Sequence, residues 1–177
     1  MKLDLTELLT VDGTEKDYEV PLALTEFLRK GSKEGYPVIC DHDIRLHILH
    51  KSKREVEITV EVDLALQIPC DRCLTPVTYP FLFTETETVD CNADEASRIE
   101  NLDEQPFIDG TTLDVDRLVV SELMLYLPAK VLCREDCKGL CPVCGANRNV
   151  TACDCDERKE GTLSDQLSGF RNLLPEE

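Results

Sequence analysis

The chain has 177 residues and a mass of 20.0 kDa, room for one ordinary domain or one domain with a small appendage. Hydrophobic residues at 42% and charged residues at 31% support a buried core and exclude a disordered tail. A formal net charge of -17 excludes simple docking on phosphate, which needs Lys and Arg to displace counterions, and disfavours adhesion to an anionic membrane. No apolar run approaches the ~20 residues of a membrane-spanning helix. Asp4 and Glu7 interrupt the start, where a secretory signal would be uninterruptedly apolar. A cytoplasmic protein is expected.

In chain order, Leu3 and Leu5 offer a possible fourth strand of the curved sheet built by the three strands below, and Leu22 to Lys30 a short helix ended by Gly31. Ile44, Leu46 and Ile48 alternate with Asp43, Arg45 and His47, and the polar turn Lys51 to Arg54 joins this strand to a longer one. There Val56, Ile58, Val60, Val62, Leu64, Leu66 and Ile68 alternate with polar or small residues, the period-two signature of an antiparallel strand with one buried face. Such a run spans roughly 40 Å, so a bend, bulge or barrel-like wrap is expected. Val77, Tyr79, Phe81 and Phe83 continue the alternation, but Pro76 and Pro80 demote it to an edge or irregular strand. Residues from about 90 to 106 lack periodicity and are rich in acids, which predicts a mobile acidic loop. Asp114 is a suitable N-cap for a helix presenting Val115, Leu118, Val119, Leu123, Tyr126 and Leu127 on one side and ended by Pro128. A last helix begins near Thr162 or Ser164, with Leu163, Leu167, Phe170 and Leu174 on one face. The pattern predicts an α+β fold: a curved, mostly antiparallel, barrel-like sheet with packing helices and a small Cys-rich module near the C-terminus. The expected divisions are 1–130 for the α+β domain, 131–160 for the Cys-rich module and 161–177 for a helix packing back.

Ten cysteines in a reducing compartment point to metal ligation or redox chemistry rather than disulfides. Cys40 and Cys91 stand alone. In CPVCG, from Cys141 to Gly145, two thiolates on a tight turn can share one tetrahedral metal, and the glycine permits a left-handed backbone. Cys153 and Cys155 complete a four-sulfur set, unless this pair splays and Cys137 replaces one member. Soft sulfur ligands select zinc or iron, and a structural zinc is the expectation. The second CxxC, Cys70 to Cys73, reads as half a metal site, as a thiol redox pair or as small core hydrophobes at a strand end. A redox pair of the thioredoxin kind would open a helix, and Leu74-Thr75-Pro76 does not start one. The leftover Cys133 and Cys137 are its preferred partners in a possible second site. His42, His47 and His50 are the only histidines, His47 lies on a polar face, and no phosphate loop, nucleophile elbow or HExxH occurs. No catalytic residue is assigned.

The segments CDRCL at Cys70, LDVDRLVVSELMLYLP ending at Pro128, C-x3-C-KGLCPVCGANRN-x3-CDC from Cys133 to Cys155, and the closing LSDQLSGFRNLL resemble the YceD family, named for large-subunit ribosomal RNA accumulation. Arg148 departs from that pattern, where an apolar residue is usual. The resemblance implies a non-enzymatic role in the synthesis, processing or stability of 23S ribosomal RNA. It conflicts with the acidity, since each zinc held by four thiolates adds negative charge. The expected direct partner is therefore a basic ribosomal protein or large-subunit assembly factor. RNA contact would be indirect or local, through the acid-free stretch Lys138 to Ala152, and neither a membrane nor a small-molecule substrate is expected. Arg72, Lys138, Asn147, Arg148 and Asn149 are candidate partner-binding residues. The alternative is a thiol or iron-sulfur redox protein using the CxxC pairs.

Overall fold

Strict alternation beyond Lys53 produces one uninterrupted strand. The computed structural model describes residues 1–28, 35–53, 55–91, 105–153 and 155. Strands β1 (Lys2–Asp4), β2 (Glu15–Val20), β3 (Glu26–Leu28), β4 (Gly35–Ile39), β5 (Ile44–Ser52), β6 (Glu55–Pro69) and β7 (Pro76–Asp90) precede β8 (Ile108–Asp109), β9 (Thr112–Asp114) and helix α1 (Val115–Tyr126). Every second side chain of β6 from Val56 to Ile68 is buried. Each such residue contributes ~1.5–3 kcal/mol on burial, so a one-residue slip, which would expose the whole set, is strongly disfavoured.

The length of β6 is not relieved by a bulge against β7: the two pair without a break from Glu55↔Asp90 to Pro69↔Pro76. On its other side β6 is shared by two shorter strands. β5 covers Glu55 to Glu61, with a register shift between His50 and Ser52, and β4 covers Ala65 and Leu66. β2 and β3 extend these outward, giving a six-stranded antiparallel sheet. Among the described residues β7 pairs only with β6, so the sheet stays open and the expected barrel-like wrap is not formed. Pro76 and Pro80 lie on this outer strand, where a residue without N–H is tolerated.

Three further expectations are corrected. Leu3 lies in β1, which pairs with β9 in a separate three-stranded sheet of order β1-β9-β8 rather than extending the large one. Leu22 to Leu28 forms no helix: Glu26–Leu28 is strand β3 against β4, with Phe27 fully buried and stacked on Tyr36 at 6.4 Å. Tertiary pairing overrides the local helix preference there. The expected packing helices reduce, among the described residues, to α1 and one 3-10 turn at Leu8–Thr10. The closing helix over 161–177 and most of the acidic loop expected at 90–106 lie outside the described residues.

Helix α1 starts as its cap predicts, with the Asp114 side chain accepting from the Arg117 amide at 3.3 Å. It buries Val115, Leu118, Val119 and Leu123 in the same core as β5 and β6. Beyond Leu127 the described chain has no regular element, only turns and a bridge between Leu140 and Asn147.

Candidate metal centres

The end of β6 turns back on itself at Cys70. The Cys70 amide donates to the Thr75 carbonyl at 2.9 Å and the Leu74 amide to the Cys70 carbonyl at 2.9 Å, with Leu74 at φ 60°. The same three features recur at Cys141: its amide donates to Ala146, the Gly145 amide donates back to Cys141, and Gly145 has φ 73°. Both CxxC segments thus fold as equivalent knuckles, each aiming turn amides at its first sulfur. The first carries a leucine where the second carries glycine.

Two groups of four sulfurs result. Sγ atoms of Cys70, Cys73, Cys133 and Cys137 all lie within 4.8 Å of one another, as do those of Cys141, Cys144, Cys153 and Cys155. In the first group Cys70 and Cys137 are 3.8 Å apart, and Cys73 and Cys133 are 3.5 Å apart. Tetrahedral zinc with Zn–S bonds of about 2.3 Å places its sulfurs about 3.8 Å apart. The donor chemistry and spacing therefore fit, and either group could hold a metal ion. Cys137 sits with Cys70 rather than replacing a member of the Cys153–Cys155 pair. Cys70, Cys73, Cys137 and Cys141 are buried.

Electrostatics divides each group unevenly. Burial would raise the Cys70 thiol, but amides of Cys133, Arg72 and Cys73 outweigh it and hold it at about 6. Burial and the Cys73 sulfur push Cys133 up to about 12. Amides of Cys144 and Val143 hold Cys141 at about 6, while the Cys144 sulfur and burial push Cys155 up to about 12. Crowded thiols cannot all ionise without a compensating cation, and a divalent ion at the centre supplies that compensation.

The first site is tied to the sheet by polar contacts from the two residues between its cysteines. Asp71 Oδ2 accepts from the Val131 amide at 2.6 Å, and Arg72 Nη1 donates to the Cys137 carbonyl at 2.8 Å. The Arg72 carbonyl accepts from the Leu140 amide at 3.0 Å. A Cβ on Gly139, at φ +74°, would stand 3.0 Å from that same carbonyl oxygen, so this crossing requires glycine twice over. Asn149 Nδ2 donates to Cys137 Sγ at 3.3 Å and its Oδ1 accepts from the Lys138 amide at 2.8 Å. Asn147 accepts from the Asn149 amide and reaches Thr75 Oγ1.

Of the residues singled out for partner binding, Arg72, Asn147 and Asn149 are thus engaged in bracing the two knuckles. Lys138 and Arg148 are exposed on the acid-free loop. Sequence reading missed the bracing by Asp71 and Thr75, whose signal was only their position beside CxxC. It also missed the strained backbone of Leu74, which the glycine at the matching place in CPVCG foreshadowed. Cys40 and Cys91 belong to neither group. Each histidine contacts a neighbouring acid or carbonyl: His42 with Asp63, His47 with Asp17, and buried His50 with the Val11 carbonyl.

The family model described as "Large ribosomal RNA subunit accumulation protein YceD" matches residues 58–174, a span that holds both four-cysteine groups. Uncharacterized protein Rv2926c of Mycobacterium tuberculosis and Uncharacterized protein Mb2951c of Mycobacterium bovis are each 33% identical over 76 residues, 43% of this chain and 37% of theirs. The chain therefore spans little more than a third of these relatives. Uncharacterized protein YlbN of Bacillus subtilis is 27% identical over 134 residues, 72% of this chain and 70% of its own. No solved structure gives a significant match. The matching description is that of an accumulation protein and not of an enzyme.

Proposed function

The chain belongs to the YceD family, and from that membership we propose that it is a non-enzymatic ribosome-biogenesis factor supporting the synthesis, processing or stability of 23S ribosomal RNA. The observation that carries this reading is the family match across residues 58–174. Two structural zinc ions complete the molecule, one held by Cys70, Cys73, Cys133 and Cys137, the other by Cys141, Cys144, Cys153 and Cys155. Zinc supplies charge compensation and cross-linking there, and structural sites of this kind contribute folding energy outright. The described residues 131–153 and 155 belong to the zinc module, which stands on the body of residues 1–130.

The protein works by contact. A net charge of -17 opposes direct binding to an RNA backbone and favours a basic ribosomal protein or assembly factor. Lys138 and Arg148 make any RNA contact local. Deleting the gene is expected to lower the ratio of 23S to 16S ribosomal RNA and the large-subunit peak on sedimentation, with rescue by the intact chain. Normal large-subunit levels would reject the ribosomal role. Titration against purified large-subunit proteins and 23S fragments tests the partner: tight RNA binding without any protein partner would reject it. Metal analysis is expected to find two zinc atoms per chain in a colourless preparation. Brown or red protein would instead favour the iron-sulfur redox reading.

A further inference from the structure

On the core-facing side of the outer strand β7, alternation calls for apolar residues, and Val77, Tyr79, Phe81 and Phe83 obey. Glu85 and Glu87 then break the rule. Their cross-strand neighbours on β6 are Val60 and Ile58, both fully buried, so these carboxylates lie half-buried against the core face. Helix α1 closes over them with a third acid: Glu122 is 3% exposed and feels the charges of both Glu87 and Glu85. Among the described residues, Tyr126 reaches into the group, its hydroxyl donating to Glu85. Among the described residues no Lys, Arg or His pairs with any of the three acids.

A buried carboxylate without a cationic partner is costly, and its usual remedy is a cation. The surroundings suit a guanidinium: three carboxylate groups for forked donors, and the Tyr126 ring stacked on Phe83 at 4.2 Å beside them. The rim offers an apolar contact: Leu125, three residues on from Glu122 on the same helix, is 77% exposed.

The geometry points to this notch between β7 and α1 as a docking site for an arginine side chain of a basic protein partner, with an apolar neighbour of that arginine resting on Leu125. The inference rests on the partner reading given above and locates it on the molecule. It uses a face remote in sequence from the cysteines and assigns Glu85, Glu87, Glu122 and Tyr126 to recognition.

The test is an NMR titration of the full zinc-loaded chain, isotopically labelled, with the peptide acetyl-Leu-Arg-Leu-Arg-Leu-amide and its citrulline counterpart. The arginine peptide is expected to shift the amides around Glu85, Glu87, Glu122 and Tyr126 saturably, and the citrulline peptide to leave them unmoved. Affinity should fall about tenfold in E122Q and in the E85Q/E87Q double variant. E19Q and E15Q/E19Q, which remove the same charge on β2, should bind as the parent does. Shifts spread evenly over the acidic surface, or equal weakening by both sets of variants, would overturn the proposal. So would a peptide without effect at saturating concentration. No ribosomal protein enters this titration, so its failure removes the notch while the partner reading stands or falls on the ribosomal-protein titration.

Discussion

Leu74 rests where its counterpart in the other knuckle is glycine. A left-handed backbone costs a residue with a Cβ about 1–2 kcal/mol, and at 62% exposure Leu74 recovers little by packing. Leu74→Gly is therefore expected to stabilise the first knuckle, by up to about 1 kcal/mol once glycine's larger unfolded-state entropy is subtracted. Gly145→Ala should destabilise the second by about 1 kcal/mol. Thermal unfolding of the zinc-loaded chain checks both, and equal melting temperatures for parent and variants would remove the strain argument. Glu122 gives a pH prediction. Burial, and then the charges of Glu87 and Glu85, raise its carboxyl above 4.5, with Tyr126 also facing the group. Between 4.5 and that raised value the folded chain holds more protons than the unfolded one, so stability falls as pH rises through this window. Glu122→Gln should melt above the parent at pH 7.5 and with it near pH 4. A variant less stable than the parent at neutral pH would refute the sign. None of these residue-level features except Gly145 was legible in the sequence, because strain and desolvation depend on what the chain brings close.

At the scale of elements, the knuckles and the long hairpin answer to different forces. β5, β6 and β7 are held by burial of alternate side chains, and period two in the sequence announces them directly. The segment after Leu127 buries few large side chains among its described residues, chiefly Val131 and cysteines, so its order should depend on metal. Cys144→Ser is expected to raise hydrogen exchange across residues 133–155 at least about tenfold while β5, β6 and β7 keep their protection. Chelation should act in the same direction on both sites, and unchanged exchange after metal removal would reject the structural role. Helix α1 was readable from its cap and periodicity. β3 was not, since Glu26, Phe27 and Leu28 become a strand only through pairing with Pro37, Tyr36 and Gly35, which local propensity cannot foresee.

For the whole molecule, charge sets how encounters begin. With -17 overall, association with a basic partner should slow about tenfold or more between about 20 mM and 200 mM salt, measured by stopped-flow, whereas a salt-independent rate would argue that contact is apolar. No helix among the described residues is long and apolar enough to cross a membrane. The sequence by itself determined the antiparallel hairpin, helix α1 and the CxxC segments, because alternation, capping and ligand spacing are local properties carried by neighbouring residues. Tertiary structure alone decided that the sheet stays open, that β1 leaves it for β9, and that Cys70 meets Cys137 across 67 positions. It also decided that three carboxylates converge under α1. Those outcomes turn on which distant segments share a hydrogen-bond edge or a buried face, and no short window of the chain contains both partners.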